Sequence, residues 1–322
     1  MNNKKIIIGS RGSRLSLAQS EHFKDELLLA NKDLKAENIE IKIIKTSGDK
    51  FKTENLATLG GKGLFVKEIE QELLDHKIDC AVHSLKDVPT FGHEDLSLAT
   101  FLKRKDERDA FLSPLTKSLS TLKPGSTVGT CSVRRIAQLK RIRPDLKIVS
   151  MRGNIDTRIE KLKEGLLDSI VLAYAGIKRL GFHNLVSEIL DKEMMLPAAG
   201  QGIVAVQCRK KDEAMINLVR SVNDTETEMI AKAERAFLHR VNGACDTPIG
   251  VNAVVNDDNE LFLRAELLSL DGSQHFIGHK TGLIDHAEKI GLDVAEEVLY
   301  KAGSDFVLRE TKLAHTINQS KK

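Results

Sequence analysis

The sequence contains no tryptophan and only two tyrosines, and aromatic residues make up 4% of its 322. So few stacking platforms count against a surface that binds RNA or single strands. Long apolar runs are missing too: Ile6–Ile8 and Leu27–Ala30 are among the longest, far short of a bilayer span. The first residues, Met1-Asn-Asn-Lys-Lys-Ile-Ile-Ile-Gly9, lack the apolar stretch and small-residue cleavage site of a secretory signal. Four cysteines, at 80, 131, 208 and 245, form no Cys-x-x-Cys pair, which counts against a zinc ribbon or a disulfide scaffold. Charge of one sign is also lacking: 49 Lys and Arg stand against 46 Asp and Glu, so no whole-molecule field draws in nucleic acid or membrane. The expectation is a cytoplasmic globular protein of two or three domains that binds neither, with no sign of an obligate interface and hence a monomer.

What is present is a concentrated positive segment. Residues 131–158 hold Arg134, Arg135, Lys140, Arg141, Arg143, Lys147, Arg152 and Arg158 against Asp145 and Asp156, a local charge of +6 in a chain whose remainder is acidic. Lys140 and Arg141 read as a solvated helix face. Six of the eight are arginines, whose forked guanidinium suits carboxylate or phosphate, so the segment points to an anionic ligand.

The first hundred residues alternate in period. Strands are expected at Lys4–Gly9, Ile39–Thr46 and Cys80–His83, with helices from Leu15 to Leu28, capped by Ser13, and from Leu64 to His76. After Lys123-Pro-Gly125 the pattern restarts, with strands at 127–129, 147–150 and 169–173 and helices at 133–143 and 155–162. The two α/β units share architecture without an obvious sequence repeat, and the charged stretch Lys103–Asp109 reads as a hinge between them. A strand follows at Ile203–Cys208. Beyond Asn223 a long helix, two or three strands and a final helix around Asp285–Lys301 make an α+β region.

Several short stretches could carry chemistry. Gly60-Gly-Lys-Gly63 lacks the spacing and the Ser or Thr of a P-loop; Lys62 could bind an anion, or the glycines could simply lead into a helix. Thr130-Cys-Ser-Val-Arg-Arg135 and Arg152-Gly-Asn-Ile-Asp-Thr-Arg158 each lie where a strand gives way to a helix, the edge at which α/β sheets bind ligands. Val82-His-Ser-Leu-Lys-Asp87 also ends a strand. A Ser84–His83 hydrolase pair fails there, because neighbouring strand residues point to opposite faces and no nucleophile elbow surrounds Ser84. Lys86 and Asp87 could equally be a surface ion pair. Cys80, Cys131 and Cys208 sit in apolar or strand settings expected of inert thiols. Cys245, between Gly243 and Pro248, is in an approachable turn where a thiolate could be a nucleophile or an attachment point.

In this order the stretches resemble the porphobilinogen deaminase (hydroxymethylbilane synthase) family over essentially the whole chain. The matching blocks are 60–70, 81–89, 128–135, 151–158, Leu196-Pro-Ala-Ala-Gly-Gln-Gly202, and 233–250 with its Gly-Ala-Cys-Asp-Thr-Pro-Ile-Gly250. The resemblance implies a transferase that joins four porphobilinogen molecules head to tail, releasing ammonia, on a dipyrromethane cofactor held by a thioether to Cys245. It places the catalytic carboxylate at Asp87. Cofactor contacts fall on Lys86, Ser132, Arg134, Arg135 and Arg158, and substrate contacts on Arg11, Ser13, Lys62, Arg152 and Gln201. No metal is implied. The implied fold is α/β: two domains like type II periplasmic binding proteins, with mixed sheets, plus a C-terminal α+β domain. That gives domain 1 at 1–102 with 203–220, domain 2 at 108–196 and domain 3 at 225–322.

Porphobilinogen carries an acetate and a propionate, so a growing oligopyrrole needs cations, and loss of ammonia leaves a cationic azafulvene that a carboxylate can stabilise. Three positions depart from the common family pattern: Arg14 replaces a proline, Thr58 a lysine, and Asp246 adds a negative charge beside the thiol. The rival reading is a non-enzymatic, two-lobed anion-binding protein, in which Cys245 has no task.

Overall fold

The computed structural model describes residues 5–47, 66–243, 247–303 and 305–320, the last only as backbone beyond 313. In chain order its first elements are β1 (Ile6–Arg11), α1 (Arg14–Ala30), β2 (Ile39–Ile44), α2 (Lys67–Leu74), β3 (Cys80–Ser84) and β4 (Leu96–Phe101). Next come β5 (Asp109–Leu112), β6 (Thr127–Gly129), α3 (Val133–Ile142), β7 (Lys147–Val149), α4 (Ile155–Lys163), β8 (Ser169–Ala173), α5 (Tyr174–Arg179) and β9 (Glu188–Ile189). The chain continues with β10 (Val204–Arg209), α6 (Glu213–Arg220), α7 (Thr225–Arg240), β11 (Ile249–Val255), β12 (Glu260–Leu268), β13 (His275–Leu283), α8 (Ala287–Ala302) and α9 (Phe306–Ser320). Among the described residues no helix is long and apolar enough to cross a membrane.

The chain divides into two compact units, Met1–Lys105 with Ile203–Glu228 and Asp106–Gly202 with Met229–Lys322. The first holds a mixed sheet in the order β2-β1-β3-β10-β4, with β1 parallel to β2 and β3, and β10 antiparallel to β3 and β4. Helix α1 presses the fully buried Phe23 and Leu27 onto one face, against Ile8, Val82 and Val206. On the other, Ile69 and Leu73 of α2 meet Ile44, Ile78 and Ala81. Each such buried side chain contributes about 1.5–3 kcal/mol.

The second unit repeats the plan as β7-β6-β8-β5-β9, with β5 the antiparallel member. Leu139 of α3 packs with Phe111, Val128 and Val171 on one face; Ile159 and Leu162 of α4 pack with Ile170 and Leu172 on the other. The same unit contains an antiparallel sheet, β11-β12-β13, against which α8 lays Ile290, Val294 and Val298. The fold is therefore the expected one, two mixed α/β sheets with a C-terminal α+β part.

A repeat that is not evident in the sequence is present in the strand registers. Ile8 pairs with Cys80 and Gly9 with Ala81; Val128 pairs with Ser169 and Gly129 with Ile170. One step earlier, Asp79 Oδ2 accepts from the Ile7 amide at 2.8 Å and Asp168 Oδ2 from the Thr127 amide at 2.7 Å. Ser13 caps α1 by accepting from the Ser16 amide, as Ser132 caps α3 by accepting from that of Arg135. Six residues into each helix stands a buried glutamine, Gln19 or Gln138. Shared are the structural positions; the side chains at the ligand-facing edge differ, which hides the repeat.

Several expectations need correction. Asp109 does not belong to a hinge segment: it opens β5 and is fully buried. Strands β4, β5 and β9 and helices α5, α6 and α9 were not foreseen, because all are short or lie beside charged stretches. Arg141 is not a solvated side chain, since its guanidinium lies 3.3 Å from the buried carboxylate of Glu266 in β12, whereas Lys140 is exposed. Cys131 is only partly buried.

Candidate active site

In the first unit the carboxyl ends of the parallel strands β1 and β3 form one edge. Arg11 is the last residue of β1 and Ser84 the last of β3, and a one-turn 3-10 helix, Leu85–Asp87, follows directly. Arg11, Ser16, Ser84 and Asp87 line a single small cavity there. Asp87 is exposed and Lys86 partly buried. Ser13 is the α1 cap, its hydroxyl also 2.8 Å from that of the cavity-lining Ser16. Arg14 occupies the first helical position, where proline is equally at home, so this departure leaves the cap intact.

Behind that edge, His83 and Ser84 have separate partners. Ser84 exchanges hydrogen bonds with the Gln19 amide of α1. His83 Nε2 lies 3.1 Å from Gln207 Oε1, whose own amide nitrogen donates to Glu70 Oε1 at 2.8 Å. With Gln207 oriented by Glu70, the imidazole is the donor and stays neutral. Burial lowers His83 to about 4, with the Arg11 charge adding to the effect against the Gln207 bond. A neutral histidine used in this way is a structural donor and not a base for Ser84.

The second unit's edge is built on a buried carboxylate. Asp109 Oδ2 accepts from Arg134 Nη1 at 2.7 Å, and Oδ1 accepts from Arg135 Nη2 at 2.7 Å, Arg135 Nε at 3.2 Å and Gln201 Nε2 at 2.9 Å. Arg134 Nη1 also donates to the Leu196 carbonyl and Arg135 Nη1 to that of Val171. Arg134 and Arg135 are only 4% and 6% exposed and Asp109 not at all. Burial by itself pushes the Asp109 carboxyl up, but the two guanidiniums more than reverse this and hold it well below the usual carboxylate range. Arg134 is held below its ordinary value by burial, which the Asp109 charge offsets only in part.

The structure thus brings Arg134, Arg135 and Gln201 together on a residue that the sequence reading did not single out. Its signal was an aspartate heading the apolar run Asp109-Ala-Phe-Leu112. Ser132 serves as the α3 cap. Arg158, in α4, donates through Nε to the Gly153 carbonyl at 2.8 Å and approaches the Cys131 sulfur at 3.5 Å. Arg152 lies partly buried in the loop between β7 and α4. Arg143, counted in the positive segment, is committed to carbonyls of 119, 120 and 122 and to Asp145. Cys80 and Cys208 are the inert thiols expected, pushed up by burial, Cys208 to about 12. Lys62, Cys245, Thr58 and Asp246 lie outside the described residues.

Comparison with known proteins bears on both units. A family model described as porphobilinogen deaminase, dipyromethane cofactor binding domain, matches residues 6–217, and one described as porphobilinogen deaminase, C-terminal domain, matches 229–300. A curated relative named porphobilinogen deaminase from Nitrobacter hamburgensis is 45% identical over 93% of this chain and 94% of its own length. Relatives of the same name from Syntrophomonas wolfei and Bacillus cereus are each 42% identical, over 96% of this chain and 99% of theirs. Among solved structures the methionine binding protein MetQ covers 70% of this chain and 93% of its own at 15% identity and a TM-score of 0.42, a likeness too slight to bear on function.

Proposed function

This chain belongs to the porphobilinogen deaminase family, and from that premise we propose how its residues carry the family's reaction. That reaction is a transferase step of tetrapyrrole and heme biosynthesis: four porphobilinogen molecules are condensed head to tail, with loss of ammonia, to linear hydroxymethylbilane. The cofactor is dipyrromethane, which when bound supplies the pyrrole carbon that the first substrate joins. Its carboxylates suit the second unit's edge, where two buried guanidiniums share one carboxylate and leave a positive charge over. On our reading Cys245 is the thioether attachment point. Arg134, Arg135, Arg158, Ser132 and Lys86 hold the cofactor, and Arg11, Ser13, Lys62, Arg152 and Gln201 receive substrate carboxylates and the growing chain.

Asp87 is the catalytic residue. It is the observation on which the reading turns: an exposed carboxylate in a cavity with Arg11, at the carboxyl edge of two parallel strands. As ammonia departs from porphobilinogen, positive charge builds on the substrate's methylene carbon and pyrrole nitrogen. A fixed carboxylate stabilises that charge and passes the proton. We further infer a cytoplasmic monomer of three domains, 1–102 with 203–220, 108–196 and 225–322.

Incubation with porphobilinogen tests the assignment, with ammonia release and the linear tetrapyrrole as readouts. The denatured protein should carry a two-pyrrole mass increment that Cys245→Ser removes and Cys80→Ala leaves. Binding of porphobilinogen without ammonia release or covalent mass would favour the non-enzymatic anion binder instead.

A further inference from the structure

Asp109 lies outside the catalytic and binding set assigned above, yet it takes four hydrogen bonds from three members of that set. It is fully buried within the second unit. A carboxylate there has no solvent to stabilise it, and neither have Arg134 and Arg135, so the geometry of each depends on the others. The charges do not balance: two guanidiniums meet one carboxylate. Glu266 is also within electrostatic reach of Arg134, but it is ion-paired with Arg141 and faces Arg264, and its charge is taken up there.

We propose that Asp109 is the positioning residue of the second unit's edge, fixing Arg134, Arg135 and Gln201 as one array and leaving in it a single positive charge that seats one ligand carboxylate. The inference rests on the assignment of Arg134 and Arg135 to cofactor binding. Asp109 makes no contact with the ligand in this scheme. It consumes one of two positive charges and sets the direction of both forks. With the forks already held, a ligand carboxylate meets donors that need no reordering. Without the carboxylate, two adjacent guanidiniums would repel each other and swing apart.

The test uses full-length protein produced without porphobilinogen and then supplied with it, following the two-pyrrole adduct by intact mass. Asp109→Asn keeps size and one acceptor but removes the charge, so adduct formation per folded molecule should slow by about tenfold or more. A merely structural Asp109 would lower the melting temperature and leave the loading rate of the folded fraction unchanged, which would overturn the proposal. Should Asp109→Asn fail to fold, Gln201→Glu carries the test. It places a second carboxylate on the array and cancels the remaining charge, so its loading should fall well below that of Gln201→Met. Equal loading by those two variants would also overturn the proposal. Parental loading by Arg134→Leu and Arg135→Leu would show a different fault, that the arginines do not bind the cofactor at all.

Discussion

The two mixed sheets have the same frame and opposite electrostatics at the same edge. Counting from the paired glycines, Ser84 at the end of β3 corresponds to Ala173 at the end of β8, and their antiparallel partners Val204 and Asp109 correspond as well. Counting from the caps, Leu15 and Ser16 of α1 correspond to Arg134 and Arg135 of α3. Where the second unit has a buried Asp with two buried Arg, the first has Val, Leu and Ser. The first unit in turn has the exposed Asp87 three residues past its strand, where the second has Gly176. The frame is maintained by groups committed to backbone and core, such as Asp79 and the partly buried Asp168 on amides and the buried Gln19 and Gln138 in the helices, and these tolerate little change. The edge is free to vary, and there one unit displays a carboxylate while the other encloses one between cations.

The largest expected effect breaks the first unit's edge. Asp87→Asn keeps shape and removes charge, and turnover should collapse while the protein stays folded. Asp87→Glu moves the carboxylate by about 1 Å or more, a displacement that can cost ~10²-fold in rate. Single-turnover ammonia release should therefore rank Asp above Glu and Glu well above Asn. Activity of the Asn variant within a few-fold of the parent would end the catalytic claim.

Acid should separate the units next. Unfolding frees His83 to take a proton below about pH 6.5, whereas the folded protein keeps it neutral down to about 4. The unfolded state binds more protons in that window, so stability is full above it and lost as pH falls through it, by roughly 3 kcal/mol at most. The corresponding residue of the second unit is Leu172, which cannot contribute. Denaturant melts of His83→Gln should show a flatter pH profile than the parent between pH 6.5 and 4.

The paired glycines should differ more modestly. A Cβ on Gly9 would come within 2.4 Å of Ile78 and 3.1 Å of Ile44. On Gly129 it would crowd three side chains, Leu167 at 2.6 Å, Met151 at 2.9 Å and Ile170 at 3.2 Å. Overpacking of this kind costs about 1–3 kcal/mol, and Gly129→Ala should lie nearer the upper figure than Gly9→Ala. Met151 adjoins Arg152, which we assign to the substrate, so only Gly129→Ala should also weaken porphobilinogen turnover. Thermal melts giving the reverse order would mean that the Ile78 contact is the stiffer one.

The smallest contrast lies within α3. Arg141→Leu leaves the buried Glu266 without its nearest cation and should cost about 1–2 kcal/mol. Lys140→Leu on the exposed face should stay within about 0.5 kcal/mol. Equal melting temperatures for the two would show that Glu266 is neutral in the folded protein.

Much of this was legible in the sequence because it is local. Strands 127–129 and 169–173 fall where apolar residues alternate with turn signals, and Ser13 announces a helix start through a hydroxyl that serves its own third neighbour. The family blocks carried Asp87 and the arginines for the same reason, being contiguous stretches read one at a time. Side-chain partnerships across the sheet were not legible. Asp109 looked like one more charge in Lys103–Asp109, and Arg141 like one more solvent-facing cation, because neither has its partner nearby in sequence.

The order of periods, the two-fold restart of the α/β pattern and the placing of reactive side chains at strand ends are properties of the sequence by itself, since hydrophobic spacing and cap chemistry act over a few residues. Which charges are enclosed was decided by the tertiary structure alone. Asp109 meets Arg134 and Arg135 some 25 residues on, and Gln201 a further 66 beyond Arg135, only once β5 has inserted antiparallel beside β8. Removing these groups from water makes their mutual geometry obligatory, and burial of that kind exists only in the folded chain.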